Sequence, residues 1–223
     1  MVAVAAASLS GGACTKPQSG LFAAIWCSTD AGANVQVLDD MEDDDGKACA
    51  GQGAWSVVKG DGSGQTTPPQ GSIMKTADLL DVDLAVRPGR RALHLEGTGF
   101  GDGETAALRL DLADGDLTPY IEVQFWARSD TAAALDFRVA VPTETTADNG
   151  GVYWGLPVTV TQKWGDGEGK AFSFPLQGTG DTMVPDDQKD LDHALGLEFQ
   201  VRANADTSSF GVWIDDVVLI RHP

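Results

Sequence analysis

In the stretch Tyr120-Ile-Glu-Val-Gln-Phe-Trp-Ala-Arg128, the apolar Ile121, Val123, Phe125 and Ala127 alternate with Glu122, Gln124, Trp126 and Arg128. Side chains two residues apart share one face of a strand, so the second set points away from whatever the first packs on. The same alternation turns Arg109 and Asp111 outward in Leu108–Leu112, and Asp136 and Arg138 outward in Leu135–Val141. It turns Glu198, Gln200 and Arg202 outward in Leu195–Arg202. Planar guanidinium and amide groups hydrogen-bond hydroxyls, and an indole covers the apolar C–H face of a sugar ring. An outward face carrying Arg109, Gln124, Trp126, Arg128 and Arg138 is therefore expected to bind a neutral glycan. The same pattern also fits a solvated outer sheet crossed by ion pairs. Tyr153 and Trp154 stand together in the Gly/Pro-flanked stretch Asn149–Pro157, where adjacent aromatics suit either a binding edge or a plug over the end of the fold.

Other chemistries find no support. The three histidines, His94, His193 and His222, have no metal spacing. No G-x-S-x-G occurs. Gly101-Asp-Gly-Glu-Thr-Ala106 matches a dinucleotide fingerprint formally but leads into a strand pattern instead of a helix. The acidic run Asp39, Asp40, Glu42, Asp43, Asp44 and Asp45 fails as an EF-hand, because that register puts Met41 and Gln52 where acids are needed. Carboxylates are plentiful enough for a glycan-cleaving pair, but a sequence does not measure the separation on which that chemistry depends. The expectation is a protein that is not an enzyme.

The charge balance narrows the partners. With 33 acidic against 15 basic residues, the formal net charge is −18. Such a field repels phosphate backbones and anionic lipid headgroups, which excludes nucleic acid as an expected partner. Residues 1–14 form a short apolar, small-residue stretch ending in Cys14. It is too short to span a bilayer. It is similar to the end of a bacterial lipoprotein leader, in which Cys14 would carry the lipid; the other reading is an Ala-rich tail. The expected location is outside the cytoplasm: a bacterial outer-membrane or cell-surface lipoprotein, or a secreted protein. Cys27 and Cys49 then remain, and in an oxidising compartment they could pair; otherwise they are buried thiols. Residues 15–36 read as a linker or N-terminal extension.

The elements that must position these residues are strands. Period-two runs span Val35–Leu38, Trp55–Lys59, Ala92–Glu96, Ala106–Leu112, Tyr120–Ala127, Ala134–Val141, Val158–Thr161, Lys170–Leu176, Leu195–Val201 and Phe210–Ile220. Gly, Pro, Asp and Thr clusters separate them, and Asp186–His193 suits a short helix. Many short strands with such turns predict an all-β fold, a single jelly-roll β-sandwich of two antiparallel sheets over residues 37–223.

Four segments carry a family resemblance: Leu38-Asp-Asp-Met-Glu-Asp43; Trp55 followed by Gly60-Asp-Gly-Ser-Gly-Gln-Thr-Thr-Pro68; Ala92-Leu-His-Leu-Glu-Gly-Thr-Gly-Phe100 with Tyr120–Arg128; and Phe210-Gly-Val-Trp-Ile-Asp-Asp-Val217. In order and spacing they resemble the galactose-binding-like jelly rolls that include family 11 carbohydrate-binding modules and related bacterial lipoproteins. Glu122 stands where that family usually has Gly, and Tyr153–Gly169 has no counterpart. The resemblance implies a non-catalytic module that binds a poly- or oligosaccharide. It also implies a structural Ca²⁺ tying the first strand to the last, with Glu42 and Asp215, or Asp216, as ligands. If Val217 and Leu219 face the core, Asp215 lies on their side and ranks first. The alternative is a structural or adhesive envelope lipoprotein with no sugar ligand, since fold does not settle function.

Overall fold

The computed structural model describes residues 34–42, 47–49, 53–78, 91–113, 115–144, 157–166, 168, 170–176 and 190–221. Twelve strands run in chain order: β1 Val35–Asp39, β2 Trp55–Lys59, β3 Gln65–Thr67, β4 Thr76–Asp78, β5 Arg91–Thr98, β6 Thr105–Asp111, β7 Tyr120–Ser129, β8 Leu135–Ala140, β9 Pro157–Val160, β10 Phe172–Pro175, β11 Gly196–Arg202 and β12 Phe210–Arg221. Each of the ten expected strands is present. The three-residue β3 and β4 are additional, in a Gly/Pro/Thr-rich stretch where no period is long enough to see. Of the expected helix Asp186–His193, the described part holds one 3-10 turn, Leu191–His193.

The strands form two antiparallel sheets. The larger has the order β10-β7-β12-β5-β3, with β1 also bonded to β12 and β4 to β5; the smaller has the order β2-β6-β11-β8-β9. Consecutive strands often belong to different sheets, as β7 and β8 do. The inward residues of both sheets meet in one core. Phe125 of the larger sheet lies 5.0 Å from Phe199 and 5.9 Å from Phe137 of the smaller, ring centre to ring centre. Trp55 packs 5.7 Å from Phe199. Burying an aromatic or aliphatic side chain of this size stabilises by about 1.5–3 kcal/mol, and edge-to-face pairs such as Phe125–Phe199 add to that. The Trp55 indole N–H needs a partner inside the core and donates to Asp39 Oδ2 at 2.7 Å, a polar tie from β2 of one sheet to β1 of the other. No helix among the described residues is long and apolar enough to cross a membrane.

Residues 1–33 lie outside the described residues, and with them the expected leader, the lipidation at Cys14 and the cysteine Cys27. Cys49 is disulfide-bonded and buried against Val37 and Val218. A Cys27–Cys49 bridge would close a short loop at the entrance to the sandwich and contribute about 3 kcal/mol. Non-reducing peptide mapping should recover one peptide joining Cys27 to Cys49, with Cys14 outside the bridge. A Cys14–Cys49 peptide would overturn both this pairing and the lipidation of Cys14.

Candidate functional site

The outward groups expected to act together lie on opposite sides of the molecule. Gln124, Trp126 and Arg128 are on β7, in the larger sheet; Arg109 on β6 and Arg138 on β8 are in the smaller. A single ligand face made of all five is therefore excluded. Alternation along a strand tells in from out, but not which sheet the strand joins.

On the larger sheet, the outer face is packed over. Trp126 is outward, as expected, but only 3% exposed, clustered with Ala92 and Trp164. The segment 161–166 lies along β7, held by Ser129 N–H to Thr161 O at 2.7 Å and Gly165 N–H to Ala127 O at 3.0 Å. Gly165 has φ +69°, and a Cβ there would come within 2.0 Å of Lys170 O and 2.9 Å of Trp126 Cζ3, so only glycine lets the chain settle on the indole. Beside it, His94, Trp213 and Arg128 form a cross-strand row over β5, β12 and β7. The His94 ring stacks on Trp213 at 3.8 Å. The Arg128 guanidinium lies 5.5 Å from the Trp213 ring and 5.4 Å from Trp164. Asp130 accepts from Trp213 Nε1 at 2.6 Å and faces His94 Nε2 at 2.8 Å. The indole of Trp126 is thus packing, not a stacking platform, and Arg128 is held between two tryptophans. Gln124 donates to Glu122 of its own strand.

On the smaller sheet, the outer face has a different character. Glu198 of β11 points away from the core, between Arg109 on β6 and Ala140 on β8, yet is 2% exposed. Its Oε1 accepts from Arg109 Nη1 at 3.4 Å and its Oε2 from Gln200 Nε2 at 2.8 Å. Arg109 Nε also donates to Asp111 at 2.7 Å. In the next row Gln200 pairs in register with Arg138, whose Nε lies 3.7 Å from Asp136 Oδ1. Burial pushes the Glu198 carboxyl above its ordinary 4.5, against the hydrogen bond from Gln200 and the charge of Arg109. Each arginine sits beside an acid, so the face carries donors and acceptors with little net charge. Glu198 and Gln200 share the outward pattern with Arg109 and Arg138. What set Glu198 apart, its burial, depends on the neighbouring strands. Tyr153 and Trp154 lie outside the described residues.

The expected calcium ligands divide as well. A bulge in β12 puts four residues, Asp215 to Val218, against three on β7, Trp126 to Gln124. Asp215 therefore lies on the outward side with Trp126, not on the side of Val217 and Leu219, and is fully buried there. Asp216, at φ +47°, is the left-handed residue of the bulge, and its N–H donates to Asp215 Oδ1 at 2.8 Å. Glu42 Oε1 accepts from Arg91 N–H at 3.3 Å, one residue before Ala92 of the Trp126 cluster. Glu42, three residues past the end of β1, and Asp215, one residue past the Ile214–Leu93 pair, thus both lie beside the start of β5. The clusters of three potential ligands among the described residues are instead Asp39–Asp40–Cys49 and Asp190–Asp192–His193. The first contains a disulfide sulfur, and Asp39 in it already accepts from Trp55 and Met41.

No protein-family model matches the chain, and no curated protein matches it in sequence. Solved structures do match. The family 11 carbohydrate-binding module of the cellulosomal cellulase Lic26A-Cel5E of Clostridium thermocellum aligns with TM-score 0.54 and 20% identity, over 86% of this chain and 97% of that one. The family 11 module from Clostridium thermocellum in complex with a β-1,3-1,4-mixed-linked tetrasaccharide gives TM-score 0.53 and 20% identity, over 86% and 98%. The family 30 module of the Clostridium thermocellum cellulase Cel9D-Cel44B gives 0.52 and 17%, over 77% and 95%. The likeness is one of fold: this chain has the jelly-roll β-sandwich of carbohydrate-binding modules.

Two measurements check this division of the faces. Trp126→Ala empties a packed site and should cost about 3 kcal/mol in urea unfolding; unchanged stability would mean that the 161–166 segment does not cover the indole. For Glu198, the folded state keeps its proton at pH values where the unfolded chain has lost it. The stability this contributes is complete below about 4.5 and declines as pH rises through the raised folded value. Relative to Glu198→Gln, the parent should therefore lose stability over that window and run parallel above it. A constant difference from pH 4 upward would show that Glu198 titrates like an exposed acid.

Proposed function

We propose that this protein is a non-catalytic carbohydrate-binding module acting outside the cytoplasm, and that its binding face is the outer surface of the smaller sheet. The observation that carries the reading is Glu198: a buried carboxylate on an outward face, holding Arg109 and Gln200 in fixed orientation. Preorganised planar donors of this kind bind hydroxyls without first losing side-chain freedom. Arg109 has five N–H donors; Asp111 and Glu198 take two, and the rest are available to a ligand. Arg138 lies one row along the same face. With each arginine balanced by an acid, the ligand is a neutral glycan, and Tyr153 and Trp154, just before β9 in sequence, are candidates for its stacking partner. The fold shared with the module solved with a mixed-linked tetrasaccharide supports the class of ligand and makes that glycan the first probe. A structural Ca²⁺ held by Glu42 and Asp215, with Asp216 next in sequence, fits acids from the two ends of the chain that both flank the start of β5, since Ca²⁺ takes six to eight oxygen ligands.

Affinity electrophoresis over a panel of neutral polysaccharides, including mixed-linked β-1,3-1,4-glucan, tests the face. At least one glycan should retard the parent, with a dissociation constant of about micromolar to millimolar. Arg109→Ala and Arg138→Ala should each weaken it roughly ten-fold or more, the loss of a charged hydrogen bond, while Gln124→Ala has no effect. If no glycan binds, the chain is instead a structural envelope protein. Repeating the titration and thermal melt after exhaustive chelation addresses the ion: the melting temperature should fall, and an unchanged value would count against a structural calcium.

A further inference from the structure

The smaller sheet continues one segment beyond β2. Residues 71–74 run antiparallel to it, with Val57 N–H donating to Ser72 O at 3.1 Å and Met74 N–H to Trp55 O at 2.8 Å. Ile73 faces Ser56 across this edge. Paired residues share a side of the sheet, and Trp55, Val57 and Met74 are buried in the core, so Ser56 and Ile73 point outward. Ser56 pairs with Arg109, Arg109 with Glu198, and Glu198 with Ala140. A single cross-strand row therefore reads Ile73, Ser56, Arg109, Glu198, Ala140.

Ile73 is the large hydrophobic residue left exposed among the described residues, at 65%. A lone exposed aliphatic is ordinary. This one stands at the end of a row whose middle is a preorganised pair of planar hydrogen-bonding groups. We propose that Ile73 is the apolar subsite of this face, and that a linear oligosaccharide lies across the strands along the row. Its ring C–H surface would rest on Ile73 and its hydroxyls on Ser56 and Arg109. The proposal rests on the carbohydrate reading of the same face and adds to it a direction, an apolar contact and a minimum length. Ile73, Ser56 and Arg109 stand on three adjacent strand segments, which at the usual spacing span about 10 Å between the outer two, so about three sugar rings are needed to cover both Ile73 and Arg109. The small, partly exposed Ser56 leaves the row low between Ile73 and Arg109, whereas Glu198 and Ala140 beyond Arg109 are buried, so the ligand lies on the Ile73 end of the row.

The test is calorimetric titration of the full chain with the β-1,3-1,4-mixed-linked tetrasaccharide and with its disaccharide fragment. The tetrasaccharide should bind at least ten-fold more tightly than the disaccharide. Ile73→Ser should remove most of that advantage, Ile73→Leu should keep it, and Arg109→Ala should weaken both ligands. Because Ile73 is largely exposed, the Ser variant should melt with the parent, which separates lost contact from lost fold. If the parent binds and Ile73→Ser binds the tetrasaccharide equally well, the inference is overturned while the carbohydrate reading stands. If the parent binds neither this ligand nor any glycan of the panel, both fall together.

Discussion

Strand β12 is the template on which the larger sheet is assembled. It bonds β7 on one side over nearly its whole length, and on the other side β5 with its first half and β1 with its second. The change of partner falls at Asp215–Asp216, where the extra residue of the bulge sits. Bulges bend a strand and reset its alternation, and an aspartate tolerates the left-handed backbone this one needs better than a branched residue would. Ahead of the bulge Val212 and Ile214 enter the core; after it Val217 and Leu219 do. One local irregularity thus lets a single strand join the start of the chain to its middle, while both halves keep their apolar side inward.

A period of two in the sequence records a strand's two sides and fails where a bulge resets them. The ten longer strands were legible because each has one wet or covered side and one core side, and a period of two records this. β3 and β4 were not, since three residues carry no period. The bulge was hidden because Asp-Asp between apolar residues looks like ordinary alternation with a polar insertion, and it inverted the side assigned to Asp215. The division of the candidate face was hidden for a broader reason. In a jelly roll, strands adjacent in sequence pass to opposite sheets, so Arg128 and Arg138, ten residues apart, emerge on opposite surfaces. Trp126 was read correctly as outward, but whether an outward residue meets water depends on what crosses it. Trp164 and Gly165 come from a separate segment whose fit to β7 no pattern within β7 could reveal.

The two outer surfaces use the same kinds of side chain in opposite ways. On the larger sheet, His94, Trp213, Arg128 and Trp164 are layered one against the next, and Asp130 caps two of them. Flat groups stacked face to face spend their faces on each other, and a guanidinium lying between two indoles is desolvated on both sides. That arrangement seals a sheet and fixes the 161–166 segment over it, and it leaves Arg128 poorly placed to receive a ligand.

On the smaller sheet no aromatic among the described residues is layered over Arg109. The constraint there comes from below: Glu198 has given up water, which a carboxylate does at a cost unless charged or polar donors replace it. Arg109 and Gln200 supply those donors, so their orientation is set by the need of the buried acid and not by a ligand. The guanidinium is thereby fixed with part of its donor set turned to solvent, its charge met by Asp111 and Glu198, and bordered on one side by the small side chain of Ser56. A face that neutralises its own charges has little to offer an anionic polymer and much to offer hydroxyl groups. The same net charge of −18 that repels nucleic acid over the rest of the molecule is locally cancelled where the planar donors are displayed. The burial of one acid on the outward side of a sheet therefore holds the donors still and, on the function proposed above, suits them to neutral ligands.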